Sequence, residues 1–294
     1  MTGPVAALLP GDRLHLQHGP IDLIIGADGP ARAQAFAGAA ARFDGLLEEL
    51  VAELPLLRAQ VTPDLPAPQG PVARRMHHAV LPHTDAFITC MAAVAGSVAD
   101  EILSAMAKAG PLSRAYVNNG GDIALHLAPG QSARVGLVAD LSRFDADALA
   151  RTVTGNLRTD AGFSVAHASP VRGVATSGWR GRSQSLGIAD SVTVLAATAA
   201  DADAAATVVA NAVNLDDARI QRAPASSLRD DSDLGERLVT VAVPLLPPAV
   251  VQRALDAGLQ VARHLQAGGC IHAALLVCQG SLARLAPLGA LELV

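Results

Sequence analysis

The sequence has few aromatic residues and almost no lysine. Aromatic side chains make up 2% of its 294 residues, and Lys108 is the only lysine. A surface that stacks nucleobases on aromatic rings is therefore not expected. The net charge is −5, and no lysine- and arginine-rich run occurs. Because a basic patch is missing, the sequence predicts no nucleic-acid partner.

Cysteine and long apolar runs are also scarce. The three cysteines, Cys90, Cys270 and Cys278, show no CxxC spacing, which argues against a zinc site or a disulfide framework. Free thiols are typical of a reducing compartment, so we expect a cytoplasmic protein. No charge-free run of about 18 apolar residues occurs, and residues 1–10 lack the basic segment of a signal peptide. Neither a membrane span nor an export leader is predicted.

What the sequence has in abundance is alanine, valine and leucine. Hydrophobic residues make up 51% of the chain, which is enough for a large core. Helical and extended segments alternate irregularly and are joined by short polar turns, which favours an α+β fold over a doubly wound α/β sheet. We predict a single domain over residues 1–294 that could divide only at the proline-rich segment 61–71. A homodimer is the default expectation for the assembly.

Hydrophobic periodicity and turn residues place most of the elements. Strands are predicted at residues 13–17, 21–25, 114–117, 123–127, 133–138, 164–168, 173–175, 191–195, 238–243 and, as the last strand, 271–277. Helices are predicted at residues 30–53, 91–109, 145–154, 201–213 and 247–266. The alanine-rich segments 93–109 and 198–213 resemble each other, which indicates that the fold could contain two similar halves.

The segment Asn118-Asn119-Gly120-Gly121-Asp122 lies between two apolar runs. Asn-Gly is the strongest short signal for a hairpin turn, so a turn alone would explain part of this segment. Two amides, two glycines and a carboxylate exceed what a turn needs. We therefore predict that the backbone approaches a ligand closely here.

A second polar segment, Thr176-Ser177-Gly178, ends an extended stretch. Its hydroxyl groups suit either of two roles, capping a following helix or holding phosphate oxygens together with backbone N–H groups. Arg180 and Arg182 follow, and arginine suits bidentate phosphate binding. Ser183 and Ser185 add further donors. The segment alone leaves both roles open.

Asp203 and Thr207 are four residues apart on a predicted helix, so their oxygens face the same way. Hard oxygen ligands of this kind suit Mg²⁺, which takes few protein ligands. The alternative is that Asp203 caps the start of the helix and that Thr207 packs against the sheet.

Other polar clusters have simpler interpretations. The acidic stretch 229–233 is expected to be a solvated turn. His77, His78 and His83 lack the i, i+4 spacing of a helical metal site. His126 lies four residues after Asp122 on a strand, so it points to the same face and either lines the site or is a satisfied core histidine.

Taken together, these segments resemble the ApbE superfamily of FAD:protein FMN transferases, and more closely its UPF0280 branch. The resemblance covers roughly residues 91–213. In chain order its motifs are Gly-x-x-x-Asp at 96–100, Asn-x-Gly-Gly-Asp at 118–122, Thr-Ser-Gly at 176–178, Ser-Val-Thr-Val at 191–194, and an Asp and a Thr at 203 and 207.

The resemblance implies a fold related to the T-fold, with antiparallel sheets covered by helices on one side. It implies FAD or a related nucleotide as the small-molecule partner, with phosphates at Thr176–Gly178 and the ring at Asn118–Asp122. It also implies Mg²⁺ on Asp203 and Thr207, which would be the catalytic residues. The implied reaction is Mg²⁺-dependent FMN transfer or cleavage of the FAD pyrophosphate.

Two departures from the family pattern keep other functions open. Ala95 stands where the transferases carry a lysine, and residues 179–190 lack the His-x-x-Asp-Pro segment. One alternative is a non-catalytic module that binds a flavin or nucleotide. Because proteins related to the T-fold often bind pterin- or purine-like rings, the resemblance also leaves open a cofactor-biosynthesis enzyme that acts on a pterin-like anionic substrate.

Overall fold

The computed structural model describes residues 3–137, 161–181 and 183–286. The strands in these ranges are β1 Val5–Leu9, β2 Arg13–His18, β3 Ile21–Asp28, β4 Arg114–Asn119, β5 Asp122–Leu127, β6 Ser132–Leu137, β7 Ala161–Ala166, β8 Gly173–Ser177, β9 Ser191–Ala196, β10 Gln221–Pro224, β11 Leu238–Ala242, β12 Ala273–Cys278 and β13 Ser281–Leu285. The α-helices are α1 Arg32–Phe43, α2 Leu46–Ala52, α3 Leu54–Leu57, α4 Pro71–Val80, α5 Val94–Lys108, α6 Ala199–Ala212, α7 Ala225–Leu228 and α8 Pro248–Ala267.

Nine strands form one sheet in the order β1-β2-β3-β4-β5-β8-β9-β12-β13, and every neighbouring pair is antiparallel. The pairs β6–β7 and β10–β11 form two small separate sheets. An antiparallel sheet does not need crossover helices between its strands, and helices here collect against one face. The predicted α+β class with helix-covered antiparallel sheets is therefore confirmed, whereas the T-fold relationship stays a prediction.

Successive side chains along each strand point to opposite faces of the large sheet. Val117 and Ala124 point into the core beneath α1, α4 and α5, while their neighbours Tyr116 and Leu125 belong to a cluster on the opposite face. That second cluster includes Phe163 and other residues of the β6–β7 pair. The helices thus cover one face, and the small hairpin covers part of the other.

Helices α5 and α6 lie in close contact at Gly96, which has no side chain to keep them apart. A Cβ atom on Gly96 would overlap the carbonyl oxygen of Ala199, and one on Gly173 would overlap that of Thr198. Glycine at these two positions lets the start of α6 lie directly against α5 and β8. This contact brings the second turn of α6 toward the β4–β5 hairpin.

Several predicted elements need correction. The helix expected over residues 30–53 is two helices, because Gly45 adopts a left-handed conformation (φ 75°) between them. Strand 271–277 is not the last, since β13 follows it. The elements β1, α3, α4, β10 and α7 were not predicted. The helix predicted at residues 145–154 lies outside the described residues.

The segment Cys90–Lys108 is long and apolar enough to cross a membrane by length and composition. It nevertheless carries Asp100 and Glu101, and both carboxylates are bonded to neighbouring elements. Side chains such as Ile102 and Met106 are fully buried in the core. The segment is therefore a core helix of the domain.

Candidate functional site

The segment 118–122 forms the tight turn between β4 and β5. Asn119 pairs with Asp122, and the two glycines between them have positive φ angles of 66° and 116°. The Gly121 N–H donates to Asn118 Oδ1 at 2.8 Å, which fixes the turn. The hairpin interpretation is thus correct for the backbone, and ligand contact at this turn stays a prediction.

Asn119 ties this turn to the start of α5. Its side chain is 4% exposed, and its Nδ2 atom donates to the Ala95 carbonyl oxygen at 3.1 Å. A buried amide is costly unless it is hydrogen-bonded, so this contact holds the turn in one position against the helix. One of the two asparagines therefore serves the scaffold.

Asp122 connects the turn to the end of β8. It is buried, and its Oδ1 atom accepts a hydrogen bond from the Thr176 N–H at 3.2 Å. The Thr176 hydroxyl lies 2.9 Å from that of Thr193 on β9. Two of the predicted binding segments, at 118–122 and 176–178, are thus joined directly.

Of the two roles left open for Thr176–Gly178, the helix cap does not apply, because the described residues that follow Gly178 form a loop and start no helix. The loop is pressed close to β9, since a Cβ on Gly178 would overlap the Asp190 carbonyl oxygen. Thr176 is exposed and Ser177 half-buried at the end of the sheet. Phosphate contact by these hydroxyls remains a prediction.

Asp203 and Thr207 lie on α6, beside the same end of β4 and β5. The Gly96 N–H donates to Asp203 Oδ2 at 2.9 Å. Burial raises the pKa of Asp203 well above its usual range, and the charges of Asp122 and Asp100 raise it further, against the opposing effect of the Gly96 and Ala95 N–H groups. The surrounding protein thus desolvates this carboxylate strongly, although its side chain keeps some exposed area.

The alternative role of Asp203 as a helix cap is wrong. Helix α6 begins at Ala199, and its cap is Thr198, whose hydroxyl accepts from the Asp201 N–H at 3.1 Å. Asp203 lies in the second turn and faces the N-terminal end of α5. Thr207 is half-buried one turn further along.

Asp100 on α5 is a second buried carboxylate close by. It accepts from the Ala199 N–H at 3.2 Å and from the Ala200 N–H at 2.9 Å, and so it satisfies the first amides of α6. Burial raises the pKa of Asp100 to about 6, although both amides act in the opposite direction. Its bonds make it a structural link between the helices.

The donor set at Asp203 fits a magnesium ion. Two carboxylates, Asp122 and Asp203, repel each other at close range, and a divalent cation would relieve that repulsion. Mg²⁺ typically takes one or two carboxylates and completes its shell with water or phosphate. Within the described ranges no group of three or more His, Cys, Asp or Glu side chains forms a complete protein cage.

Other sequence candidates lie apart from this cluster. Arg180 lies over the Trp179 ring at 5.1 Å and pairs with Asp190 at 3.4 Å. Ser185 bonds Asn211. His126 is satisfied by the Leu112 carbonyl oxygen. Arg182 lies outside the described residues.

The acidic stretch 229–233 is not simply a solvated turn. Asp231 pairs with Arg58 at 2.8 Å, and Asp233 accepts a hydrogen bond from the Thr89 hydroxyl at 2.5 Å. Ser232 bonds Gln184. These contacts fasten the stretch to residues before α5 and after β8.

Sequence reasoning missed Thr193 as a member of the site. It is buried on β9 directly opposite Thr176, so its hydroxyl reaches that of Thr176. A polar residue inside the otherwise apolar run 192–196 was the available signal, because a buried hydroxyl needs a partner.

Comparison with known proteins places the chain in a family. Residues 6–285 match the model of a family described as AbpE bacteria. A UPF0280 protein from Methanoregula boonei is 30% identical over 236 residues, which span 79% of this chain and 92% of that protein. A UPF0280 protein from Methanothrix thermoacetophila is 38% identical over 174 residues, 58% of this chain and 65% of the relative.

A third UPF0280 protein, from Methanothermobacter thermautotrophicus, is 44% identical over 126 residues, or 42% of each chain. The matches to the Methanothrix and Methanothermobacter proteins thus span less than two thirds of those relatives. Among solved structures, the ApbE protein of Thermotoga maritima is similar with a TM-score of 0.38 and 14% identity, over 86% of this chain and 74% of that one.

Proposed function

Since the chain belongs to the AbpE family and to its UPF0280 branch, we propose that it binds a flavin or a related nucleotide at the end of the sheet formed by residues 118–122 and 176–178. The observation that carries the proposal is the Asp122–Thr176 hydrogen bond, which joins the two predicted binding segments. Asp203 faces the same end of the sheet. The three free thiols agree with a reducing cytoplasm as its place of action.

In this proposal the ligand phosphates lie at Thr176 and Ser177, whose hydroxyl groups stand at the open end of β8. Gly120 and Gly121 carry no side chains, so the turn lets a flat ring approach its backbone. Asp203 and Thr207 hold Mg²⁺, which would neutralise charge on a leaving phosphate during FMN transfer or pyrophosphate cleavage. Asn119 holds the turn against α5, and the Gly96 N–H group holds Asp203 beside it.

One observation favours a binding module without transfer activity. Ala95 lies at the start of α5, where its carbonyl oxygen bonds Asn119, and its methyl side chain brings no cation to the carboxylates. The His-x-x-Asp-Pro segment is also missing from residues 179–190. The same residues would then bind the ligand without cleaving it. A pterin-like anionic substrate is the third candidate for this site.

The test is a titration of the purified protein with FAD, with and without Mg²⁺, that follows flavin fluorescence and then measures released AMP. If the protein transfers FMN or cleaves the pyrophosphate, FAD binding should be saturable and AMP release should depend on Mg²⁺. FAD binding without AMP release after long incubation supports a binding module that has no transfer activity. Failure of every flavin, with binding of a pterin, would overturn the flavin proposal.

Asp203→Asn keeps the shape of the side chain and removes its charge. We expect Mg²⁺ to lose its effect on FAD binding and on AMP release in this variant. Asp256→Asn is the matched control, because Asp256 lies exposed on α8 and, among the described residues, its side chain bonds only Gln252. Mg²⁺-dependent release that is equal in both variants would contradict the role of Asp203.

A further inference from the structure

A separate cavity lies on the other side of α6 from Asp203. It has a volume of about 210 Å³ and is lined by Pro82, His83, Asp201, Gly269 and Cys270, among others. Residues two apart on a helix point in nearly opposite directions, so Asp201 faces away from the Asp203 side. At about 30 Å³ per water, the cavity has room for roughly seven waters or for a small organic molecule.

The charge that lines this cavity is negative. Among the described residues that line it, Asp201 carries the only charged side chain, and none is an arginine or lysine. Asp201 Oδ2 accepts a hydrogen bond from the Thr198 hydroxyl at 2.7 Å, whereas Oδ1 accepts none from the part of the chain that the structure describes. The C-terminal end of α8, which ends at Ala267, also borders the cavity and adds the negative end of a helix dipole.

The N-terminal end of α6 has no free backbone N–H groups among its first four residues with which to bind an anion in this cavity. The Ala199 and Ala200 N–H groups donate to Asp100, and the Asp201 N–H donates to the Thr198 hydroxyl. The Ala202 N–H donates to the Thr198 carbonyl oxygen. All four amides that a free helix start would offer to an anion already have partners.

His83 supplies the second, independent observation. It is 5% exposed, and its Nδ1 atom is buried with no hydrogen-bond partner in the described ranges. An unsatisfied buried ring nitrogen is costly, so a ligand that donates a hydrogen bond to it is favoured. Burial lowers the pKa of His83, against the opposing effect of Asp201. The lowered pKa keeps the ring uncharged at neutral pH, and an uncharged imidazole has one acceptor nitrogen.

We propose that this cavity binds a small organic cation through an alkylammonium group, with Asp201 as the counter-charge and His83 as the hydrogen-bond acceptor. An ammonium group has three donors and one positive charge, which match a carboxylate and an imidazole acceptor that line the same cavity. The apolar walls given by Ala79, Pro82 and Ala197 suit the attached carbon chain. The binding is independent of flavin.

Cys270 gives a direct readout of occupancy. It is half-buried at the cavity, whereas Cys90 and Cys278 are fully buried. A thiol-alkylating reagent should therefore modify Cys270 first, and peptide mass mapping identifies the modified residue. The probes are ethylammonium chloride, neutral propanol and sodium acetate, all adjusted to one ionic strength with sodium chloride.

We expect saturating ethylammonium to slow alkylation of Cys270 at least threefold, and propanol and acetate to have no such effect. In Asp201→Asn the protection should disappear, while Asp256→Asn should retain it. No protection by ethylammonium, equal protection by propanol or acetate, or full protection in Asp201→Asn would overturn the proposal.

A second measurement covers the case in which Asp201→Asn fails to fold. In the unaltered protein, ethylammonium should shift the NMR signals of the His83 ring, assigned by comparison with His83→Gln. A titration that leaves those signals unmoved would refute ligand contact with His83 without using any variant at Asp201.

Discussion

Three carboxylates around the start of α6 lie in different chemical surroundings. Asp100 bonds two amides, Asp201 lines the cavity, and Asp203 bonds the Gly96 amide beside Asp122. Burial raises the pKa of Asp100 and of Asp203, and the spacing of these residues along the sequence does not reveal that. The residue type alone therefore does not assign their roles.

At Asp100 this leads to a testable dependence of stability on pH. Its pKa is about 6 in the folded protein and 3.8 in an unfolded chain, so its contribution to stability is fully present below about pH 3.8. The contribution is lost as the pH rises through about 6. With a shift of this size it amounts to about 3 kcal/mol at most.

In Asp100→Asn this pH dependence should vanish. The free energy of unfolding, measured by urea titration at pH 4.5 and pH 7.5, should differ less between the two pH values than in the unaltered protein. Other titrating groups act equally in both proteins and cancel in the comparison. An unchanged difference between the two pH values would show that Asp100 titrates normally.

The sequence predicted the site residues unevenly. Gly120 and Gly121 indicated the turn because Asn-Gly pairs favour positive φ angles. The contacts of Asn119 with Ala95 and of Asp122 with Thr176 join residues distant in sequence, and single-sequence patterns carry no signal for them. The four-residue spacing of Asp203 and Thr207 predicts that they share one face of a helix. It does not predict which residues that face contacts.

Among the elements, α5 and α6 depend on their glycine contact. Gly96→Ala should lower the free energy of unfolding by about 2 kcal/mol or more, because the new methyl group overlaps the Ala199 carbonyl oxygen and the helices must move apart. Thermal and urea unfolding measure this loss.

Gly268→Ala is the matched control. Gly268 has an ordinary helical conformation, and an added Cβ would meet its nearest neighbour at 3.6 Å. Its stability should stay within about 0.5 kcal/mol of the unaltered protein. If both variants lost the same free energy of unfolding, the contact between α5 and α6 would not require glycine at position 96.

A charge network joins α1, α4 and α5. Arg42 and Arg75 each bond Glu101 at 2.8 Å, and the Glu101 side chain is 16% exposed. Burial raises the pKa of Glu101, but the hydrogen bonds from the two arginines outweigh it, so the pKa is lowered. The stabilisation is therefore present above the normal pKa of 4.5 and is lost as the pH falls through the folded value.

Glu101→Gln should cost roughly 2 kcal/mol at pH 7, because two partly buried guanidinium groups lose their shared counter-charge. Glu48→Gln should cost far less, since the Glu48 side chain is 66% exposed. Urea unfolding at pH 7 compares the two. A loss at Glu101 no greater than at Glu48 would show that the network contributes little.

The element predictions failed where local pattern and tertiary packing disagree. The alanine- and leucine-rich run continues through Gly45, so its period did not reveal the break between α1 and α2. Strand β1 has four exposed residues and no alternation, which removed the usual strand signal. The predicted strands 13–17, 123–127 and 191–195 succeeded because their residues alternate or are β-branched.

At the scale of the whole molecule, the nine-stranded sheet runs through both parts of the chain. Residues before and after the proline-rich segment 61–71 pair within it, since β3 pairs with β4. We expect one cooperative unfolding transition. The fluorescence of Trp179, which follows β8, and far-UV circular dichroism should give coincident urea midpoints. Two separated midpoints would instead support independently folding halves.

The pairing between β5 and β8 is the shortest in the large sheet, with only Ile123–Val174 and Ala124–Gly173 in register. The Asp122–Thr176 hydrogen bond lies at the end of this seam, and the two proposed binding segments stand on either side of it. A ligand bound by both segments would hold β5 and β8 together at this short pairing. Ligand binding would then raise the temperature, or the pulling force, at which β5 separates from β8.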